Sequence, residues 1–371
     1  MKILITGASG FIGKNLQAEL KNRNYTNILI FETDTDISLL DEYCKVADFV
    51  FHLAGVNRPK EQSDYMKGNY EFTSTVTKRL KQYNNKCPII FSSSIQAAFP
   101  NLYGKSKKSA EKLLIDYSEE TGVKILIYRL PNVFGKWCKP NYNSAVATFC
   151  HNIARGVPIR INDSNAIMNL VYIDDVVKKM VDDMEEEESR NGIFAEVTPV
   201  YAVSLGEVVE LIESFKKSRE LCLIPNMSNE FIRKLYSTYL SYIPEKEFNY
   251  ELKMLSDERG SFTEYIKMES GGQVSVNISK PGMVKGNHWH QTKSEKFLVV
   301  NGEGVIRFRR IDSDEVVEYF VSGRKLEVID VPVGYTHNIE NLGNDDMVTL
   351  IWANEIFDPD QTDTYGLDVG G

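Results

Sequence analysis

Tyr103 and Lys107 are the two residues whose types and spacing most directly indicate chemistry. Residues four apart lie on one face of a helix, so the phenol and the ammonium would be neighbours. A nearby positive charge lowers the pKa of a phenol, because it stabilises the phenolate. The pair is therefore a candidate general acid, although a lone Tyr-x-x-x-Lys pair more often belongs to a surface helix.

A glycine-rich turn stands near the start of the chain, where Gly7, Gly10 and Gly13 follow the spacing GxxGxxG. The turn comes after a short apolar strand pattern and before a stretch with helical spacing. Glycines let the backbone approach a pyrophosphate, and the helix N-terminus supplies free N–H donors. The turn predicts a dinucleotide site.

A second group of candidates contains three of the five histidines, His288, His290 and His337. Side chains alternate along a strand, so His288 and His290 would share one face. Glu295 and His337 can converge on them from neighbouring strands, which gives a ligand set suited to Zn, Fe, Mn or Ni. Zinc is the first choice for chemistry without redox change. The alternative is a metal-free site whose histidines act as acid–base groups.

The elements that must position these groups divide the chain into two parts, and its 371 residues suffice for two domains. In the first part, apolar strands alternate with helices, which predicts an α/β parallel sheet with helices on both faces. From about Leu252, short alternating strands separated by Gly, Asn and Asp predict an antiparallel barrel or sandwich. We predict domains at residues 1–243 and 252–371, joined by a linker at 244–251.

Composition and charge exclude several classes of function. With a net charge of −9, the chain gains nothing from counterion release, so nucleic acid is not an expected partner. No apolar run is long enough to cross a bilayer, and no signal-peptide pattern precedes the first strand. The five cysteines are dispersed and include no CxxC pair, which is typical of reduced thiols. We expect a cytoplasmic enzyme without a membrane partner.

Taken in order, the motifs of the first part resemble the short-chain dehydrogenase/reductase superfamily, in particular its extended branch that acts on sugar nucleotides. The matching segments are 7–13, 52–55, 91–94, 103–107 and 129–135. The resemblance covers about residues 1–243 and implies a Rossmann-type fold. It also implies that Tyr103 protonates a carbonyl oxygen while a nicotinamide supplies hydride. The implied catalytic serine is best matched by Ser94 and next by Ser93, and Asn132 is an implied substrate contact. The implied cofactor contacts are Gly7, Ser9, Gly10, Phe11, Ile12, Gly13, Leu53, Ala54, Gly55, Arg58, Tyr103, Lys107 and Pro131.

The choice of coenzyme depends on residues near the adenosine ribose. Glu32 ends the second predicted strand, where an acidic residue favours a free ribose hydroxyl and hence NAD. Arg58 and Lys60 would instead meet a 2′-phosphate. The relatives that the chain resembles use NADPH, so we expect NADPH, with NADH as the alternative.

Two motifs of the second part match the two cupin signatures: Gly282-x5-His288-x-His290-x4-Glu295-x6-Gly302 and Pro332-x-Gly334-x2-His337-x3-Asn341. Segments 257–264, 285–290 and 332–337 resemble the RmlC-like dTDP-4-keto-6-deoxyglucose 3,5-epimerases. That resemblance implies His288 as the base, Lys296 beside the enolate oxygen, and Arg259 as a substrate contact. Epimerisation next to a ketone needs proton removal, enolate stabilisation and reprotonation. His288 therefore has two competing roles, base or metal ligand.

Over its whole length the chain resembles the bifunctional capsular-polysaccharide enzymes of the CapF type, which help make UDP-N-acetyl-L-fucosamine. The resemblance implies that the cupin domain epimerises C3 of a UDP-2-acetamido-2,6-dideoxy-4-ketohexose. The reductase domain would then reduce C4 to give UDP-N-acetyl-6-deoxy-L-talosamine. A homodimer is also implied. Two alternatives stay open: a monofunctional reductase with a structural or sugar-binding cupin, and a metal-dependent cupin oxygenase or isomerase.

Overall fold

The computed structural model of the protein describes residues 1–186 and 193–370. The chain packs as two compact units. The first contains Met1–Glu213 and Lys234–Pro244, and the second contains Ser214–Arg233 and the chain from Glu245 onward. Among the helices of the described residues, none combines the length and hydropathy that a bilayer span requires. The five cysteines are free thiols.

Within the described residues, nine strands and six α-helices lie wholly in the first unit, and α7 and α8, given below, lie partly in it. The strands are β1 (Ile3–Thr6), β2 (Ile28–Phe31), β3 (Phe49–His52), β4 (Ile89–Ser94), β5 (Ile125–Leu130), β6 (Asn132–Phe134), β7 (Ile167–Tyr172), β8 (Phe194–Ala195) and β9 (Tyr201–Ser204). The helices are α1 (Phe11–Asn22), α2 (Ile37–Val46), α3 (Phe72–Gln82), α4 (Leu102–Thr121), α5 (Ala145–Ala154) and α6 (Ile173–Glu185). A π-helical turn (Met66–Glu71) leads into α3, and a 3₁₀ turn (Ile95–Ala98) follows β4.

Six of these strands form a parallel sheet in the order β2-β1-β3-β4-β5-β8, and β6-β7-β9 form a smaller sheet. Successive side chains of a strand point to opposite faces. In β1, Ile3 and Ile5 belong to the cluster that contains Leu16 of α1 and Val177 of α6. Leu4 belongs to the cluster formed with α2, α3 and α4 on the other face. The predicted parallel sheet, covered by helices on both faces, is confirmed.

The helices that follow are α7 (Leu205–Glu220) and α8 (Glu230–Leu240), with a 3₁₀ turn at Glu245–Glu247. The strands of the second unit are β10 (Leu223–Ile224), β11 (Met254–Asp257), β12 (Gly260–Met268), β13 (Gln273–Ser279), β14 (Val284–Trp289), β15 (Glu295–Asn301), β16 (Glu303–Arg310), β17 (Val316–Ser322), β18 (Val328–Val331), β19 (Tyr335–Asn341), β20 (Met347–Ala353) and β21 (Tyr365–Gly366). Segment 214–233 groups with this unit because β10 pairs with the end of β12. The predicted boundaries at 243 and 252 stay a prediction.

Two sheets make up the second unit. One has the order β10-β12-β13-β20-β15-β18, with β11 on the edge of β12, and the other has the order β17-β16-β19-β14-β21. All pairs are antiparallel except β10 with β12. Phe297 and Val299 of one sheet pack with Ile306, Phe308 and Ile339 of the other. The predicted cupin-type β architecture is therefore confirmed.

Candidate functional site

A cavity of about 760 Å³ opens in the first unit, where β1, β4 and β5 end. Its volume lies in the range of small-molecule sites, and its position is the one at which parallel sheets bind nucleotides. All predicted cofactor residues line it except Ala54 and Arg58, and the predicted substrate residues Ser94 and Asn132 line it as well. Arg58 is exposed.

The glycine turn at one side of this cavity depends on close backbone contacts. Gly7 has a φ of +72°, and a Cβ there would lie 2.8 Å from the backbone of Ala54. A Cβ on Gly13 would lie 2.4 Å from the carbonyl oxygen of Gly7. Glycine at these positions lets the turn lie against the end of β3 and lets α1 begin at the turn. The first amides of α1 are thus available to an anion in the cavity.

Helix α4 places Tyr103 and Lys107 at the same cavity. The Asn101 side chain caps the helix by accepting the Gly104 N–H at 2.7 Å, so Tyr103 lies in the first turn. The Lys107 ammonium donates to the Ser92 carbonyl oxygen at 2.9 Å, which fixes it at the end of β4. Burial lowers the pKa of Lys107 to about 8, although the charge of Glu111 opposes that shift.

The predicted lowering of the Tyr103 pKa by Lys107 is wrong for this structure. Burial raises the pKa of the phenol, a hydrogen bond with Ser94 lowers it, and the neighbouring Tyr65 raises it. Burial prevails because a phenolate loses its hydration inside the protein. Tyr103 is therefore a protonated phenol at neutral pH, which is the form that a proton donor needs.

The choice between the two candidate serines follows from their partners. The Ser93 hydroxyl donates to the buried carboxylate of Glu111 at 2.5 Å. The same carboxylate accepts two hydrogen bonds from Arg129, at 3.0 and 2.6 Å. Ser94, at the end of β4, lines the cavity and bonds to Tyr103. Ser94 is thus the serine that can reach a substrate carbonyl, and Ser93 belongs to a structural network.

Sequence reasoning missed several residues of this cavity because they lie in segments between the motifs. The Tyr65 ring centroid lies 5.9 Å from that of Tyr103. Lys139 lines the opening, with its ammonium 5.3 Å from the Tyr142 ring. Ser144, which caps the N-terminus of α5, is also part of the lining. These residues add a cation and a helix N-terminus, both of which suit an anionic substrate.

The second unit brings the four predicted metal ligands together. His288 on β14 pairs directly with His337 on β19, Glu295 begins β15, and His290 follows the end of β14. Each of the four offers one ligand atom, and these atoms all lie within 4.8 Å of one another. His290, Glu295 and His337 are buried, and His288 is half-buried.

The chemistry of this cluster fits a divalent cation. His290 Nε2, Glu295 Oε2 and both ring nitrogens of His337 are buried and have no hydrogen-bond partner. Such atoms are costly unless something pairs with them, and a cation would. Burial alone would raise the Glu295 pKa, but the adjacent His290 and His337 hold it well below its usual range. Burial and the neighbouring histidines lower the pKa of His288 to about 4. The set therefore presents a carboxylate and a neutral imidazole, both ligand forms.

The C-terminal segment fixes the orientation of His290. Its Nδ1 bonds to the backbone carbonyl oxygen of Asp363, which can only accept, so Nδ1 carries the proton. The Asp363 carboxylate accepts the N–H groups of Gln291, Thr292 and Lys293 at 3.0, 2.7 and 2.8 Å. This arrangement leaves the His290 Nε2 lone pair for the cluster, as is usual for metal-binding histidines. The sequence motifs gave no signal for Asp363.

Two further predicted residues do not join the cluster. The resemblance implied that Lys296 lies beside an enolate oxygen, and the structure contradicts this. Glu295 and Phe297 point inward along β15, so Lys296 between them points outward. Its side chain is exposed and pairs with Asp330. Arg259, between β11 and β12, pairs with Asp257 at 2.6 Å and is half exposed. The lysine near the cluster is Lys293, whose Nζ lies 3.8 Å from Glu295 Oε1.

Comparison with known proteins shows the protein family to which the chain belongs. Residues 3–194 match the NAD dependent epimerase/dehydratase family, and residues 255–365 match the polysaccharide biosynthesis C-terminal domain. The chain belongs to the NAD dependent epimerase/dehydratase family. A UDP-glucose 4-epimerase from Thermotoga maritima shares its fold, with 22% identity, 65% of this chain and 98% of that chain covered, and a TM-score of 0.54.

Two relatives that match along nearly the whole chain narrow this class to the CapF-type capsular polysaccharide proteins. The capsular polysaccharide assembling protein CapF from Staphylococcus aureus is 52% identical, with 99% of this chain and 100% of that chain covered, and superposes with a TM-score of 0.93. UDP-2-acetamido-2,6-beta-L-arabino-hexul-4-ose reductase from Pseudomonas aeruginosa is 44% identical over 370 residues, which are 100% of this chain and 99% of that protein.

Proposed function

We propose that the first unit reduces the C4 ketone of a UDP-linked 2-acetamido-2,6-dideoxy-4-ketohexose, in capsular polysaccharide synthesis. The observation that carries this proposal is the convergence of Ser94, Tyr103 and Lys107 on one cavity with the glycine turn. The name of the 44% identical Pseudomonas relative, a reductase of such a sugar, supports the substrate. The product would be UDP-N-acetyl-6-deoxy-L-talosamine.

Each residue of this cavity has a distinct part in the proposed reduction. Tyr103 donates its phenolic proton to the C4 oxygen, and Ser94 donates a hydrogen bond to the same atom. The Lys107 ammonium, held by the Ser92 carbonyl oxygen, stabilises the phenolate that remains. The glycine turn and the start of α1 would hold the diphosphate of NAD(P)H, which supplies the hydride when bound.

The second unit is proposed to epimerise C3 of the same sugar before reduction. Gln273 of β13 and Glu295 of β15 both pair with Ala353 of β20, so their side chains share one face of the sheet. Ser275 and Asn277 follow on that face and are buried. A row of buried polar side chains thus extends along the inner face from the histidine cluster, which suits a sugar ligand better than an apolar one.

His288, His290, Glu295 and His337 are proposed to hold a divalent cation, with zinc as the first choice. When bound, the cation would polarise the ketone and stabilise the negative charge of the enolate. Lys296 cannot take this role from the outer face of the sheet. Because all four ligand atoms converge, we propose His288 as a ligand rather than as the base. His288→Ala should lower both the metal content and solvent deuterium exchange into the sugar. Full metal content with lost exchange would instead assign His288 as the base.

Mixing the purified chain with the ketosugar and reduced coenzyme tests the whole proposal. We expect coenzyme oxidation and the 6-deoxy-talosamine product, identified by NMR. No oxidation with any UDP-4-ketosugar would refute the reductase assignment. Reduction without solvent exchange would support the monofunctional alternative, and oxygen uptake would support a cupin oxygenase.

A homodimer and a cytoplasmic location also stay proposals. The outer face of the same sheet carries a half-buried apolar row that includes Val276, Ile278, Leu350 and Trp352. Such a face favours burial against another surface, which supports self-association. Sedimentation equilibrium would test it: a monomer at micromolar concentration would contradict the dimer.

A further inference from the structure

The C-terminal segment 363–369 runs beside β14, the strand that carries His288. Its short strand β21 pairs with the end of β14, where Gly366 lies opposite His288. Asp363, at the start of the segment, accepts a hydrogen bond from Nδ1 of His290 through its carbonyl oxygen. The segment therefore contacts the strand of one proposed metal ligand and the side chain of another.

Asn287 connects the same segment to the irregular part of β14 that directs His288. The register between β14 and β19 shifts between Gly286 and His288, and Asn287 has a φ of 60°. Such a bulge changes the direction of the side chain that follows it. The Asn287 carbonyl oxygen accepts the Leu367 N–H at 3.0 Å, and its side-chain oxygen accepts the Val369 N–H at 3.4 Å. Docking of the segment therefore helps to fix the bulge that directs His288.

Arg309 of β16 holds the other end of the segment. The arginine is buried, and it donates to the carbonyl oxygens of Val369 at 2.9 Å and Asp368 at 2.6 Å. A third bond goes to the Ser313 carbonyl oxygen at 3.1 Å. Burying a charged group is costly unless it is hydrogen-bonded, so the guanidinium favours the conformation in which these oxygens surround it. Arg309 thus favours the docked position of the segment.

A second arginine on the same face of β16 has different partners. Arg307 lies two residues before Arg309, and side chains two apart on a strand share a face. It pairs with Glu318 of β17 at 2.7 Å and with Glu340 of β19 at 2.6 Å. Its bonds join neighbouring strands, whereas those of Arg309 join the sheet to segment 363–369. Comparison of the two arginines therefore separates the loss of a charge on β16 from the release of the segment.

We infer that segment 363–369 is a strap whose docking is coupled to the binding of a divalent cation, and that Arg309 is the positioning residue that anchors it. The inference rests on the proposed metal site of the second unit. The docked strap holds His288 and His290 in the orientation that a cation needs, so the cation binds more tightly to the docked form. Coupling between two binding events is reciprocal, so a bound cation must favour docking by the same factor.

Zinc affinity and hydrogen exchange of the strap, both measured on the full chain without substrate, test this inference. Competition with a chromogenic chelator gives the affinity, and mass spectrometry of the peptide that contains the strap gives the exchange rate of its amides. Arg309→Gln should weaken zinc binding about tenfold and speed exchange in the metal-free chain. Zinc should slow the same exchange in the wild-type chain, because the coupling is reciprocal. Arg307→Gln, the matched control, should leave zinc affinity and strap exchange unchanged.

A milder variant decides the question if Arg309→Gln does not fold. The Thr336 hydroxyl donates to the Leu367 carbonyl oxygen, so Thr336→Val removes one contact of the strap with little change in side-chain size. It should weaken zinc binding and speed strap exchange by about threefold each, as expected for the loss of one hydrogen bond.

The other outcomes separate this inference from the metal site on which it rests. Faster strap exchange with unchanged zinc affinity would overturn the coupling and leave the metal site standing. Unchanged exchange in Arg309→Gln, or an equal effect of Arg307→Gln, would remove Arg309 as the anchor. A wild-type chain that binds no zinc would overturn the metal site itself, and the coupling with it.

Discussion

In the first unit, Tyr103 and Lys107 lie one turn apart on a single helix, whereas in the second unit His288, Glu295 and His337 come from three strands. The helix alone sets the spacing of the first pair. The position of the second group depends instead on strand pairing. His288 and His337 are neighbours only because of the register between β14 and β19. A change of one residue in that register would turn a ligand to the other face.

The two sites also differ in how they hold charge. In the first unit, Lys107 is buried against a carbonyl oxygen and keeps its charge only below a pKa of about 8. In the second unit, buried ring nitrogens and a carboxylate oxygen have no protein partner. The Lys107 ammonium and the Ser93 hydroxyl of the first site have partners within the protein, whereas the cluster in the second unit has buried atoms that a cation would pair with. The two sites should therefore respond separately to mutation, pH and metal removal.

The largest expected effect separates the two chemistries directly. Tyr103→Phe removes the proton donor and should reduce the rate of coenzyme oxidation by about 10²–10⁴-fold. Solvent deuterium exchange into the ketosugar should continue, since we assign it to the second unit. Stopped-flow absorbance and mass spectrometry measure the two rates. Loss of exchange in this variant would show that one site performs both steps.

Asp363→Ala tests whether the C-terminal segment orients His290. Without its carboxylate, the loop at Gln291–Lys293 loses three backbone hydrogen bonds and the Asp363 carbonyl oxygen is less well fixed. Metal affinity should fall by about 10–100-fold, the usual cost of losing an outer-sphere partner. Competition with a chromogenic chelator measures it, and the exposed Asp314→Ala serves as the control. Unchanged affinity would limit Asp363 to a role in loop structure.

The rates of ketone reduction and of solvent deuterium exchange should depend differently on pH. Lys107 is protonated below its pKa of about 8 and neutral above it, so reduction should decline as pH rises through that value. Each further pH unit lowers the protonated fraction about tenfold. The rate of solvent deuterium exchange, which we assign to the second unit, should not decline through the pKa of Lys107. A reduction rate that stays constant to pH 10 would contradict a required ammonium.

Lys296→Ala should have the smallest effect. The side chain is exposed and pairs with Asp330 on the outer face, and exposed ion pairs contribute about 0–1 kcal/mol. We expect an unchanged exchange rate and an unchanged metal content. A large loss of exchange, with normal melting behaviour, would return Lys296 to the reaction and contradict the inward direction of Glu295.

The sequence predicted the parallel sheet and the glycine turn, because both follow from local spacing. It also predicted that His288, His290, Glu295 and His337 converge, but from motifs that resemble the cupin signatures and not from local spacing. It ranked Ser94 ahead of Ser93 only by resemblance, because the difference between their partners depends on Glu111 of α4, which no motif includes. Lys296 was misplaced because a motif match carries residue type but not strand direction. Asp363 was missed because a backbone oxygen supplies its contact with His290, and sequence patterns do not report backbone contacts.

Product analysis in deuterated water tests most directly whether each unit performs its own reaction. The mixture contains the wild-type chain, the ketosugar and reduced coenzyme that carries deuterium at the transferred position. We predict one solvent-derived deuterium at C3 and one coenzyme-derived deuterium at C4 of the same sugar. A product labelled at C4 alone, with the starting configuration at C3, would contradict the two-site account.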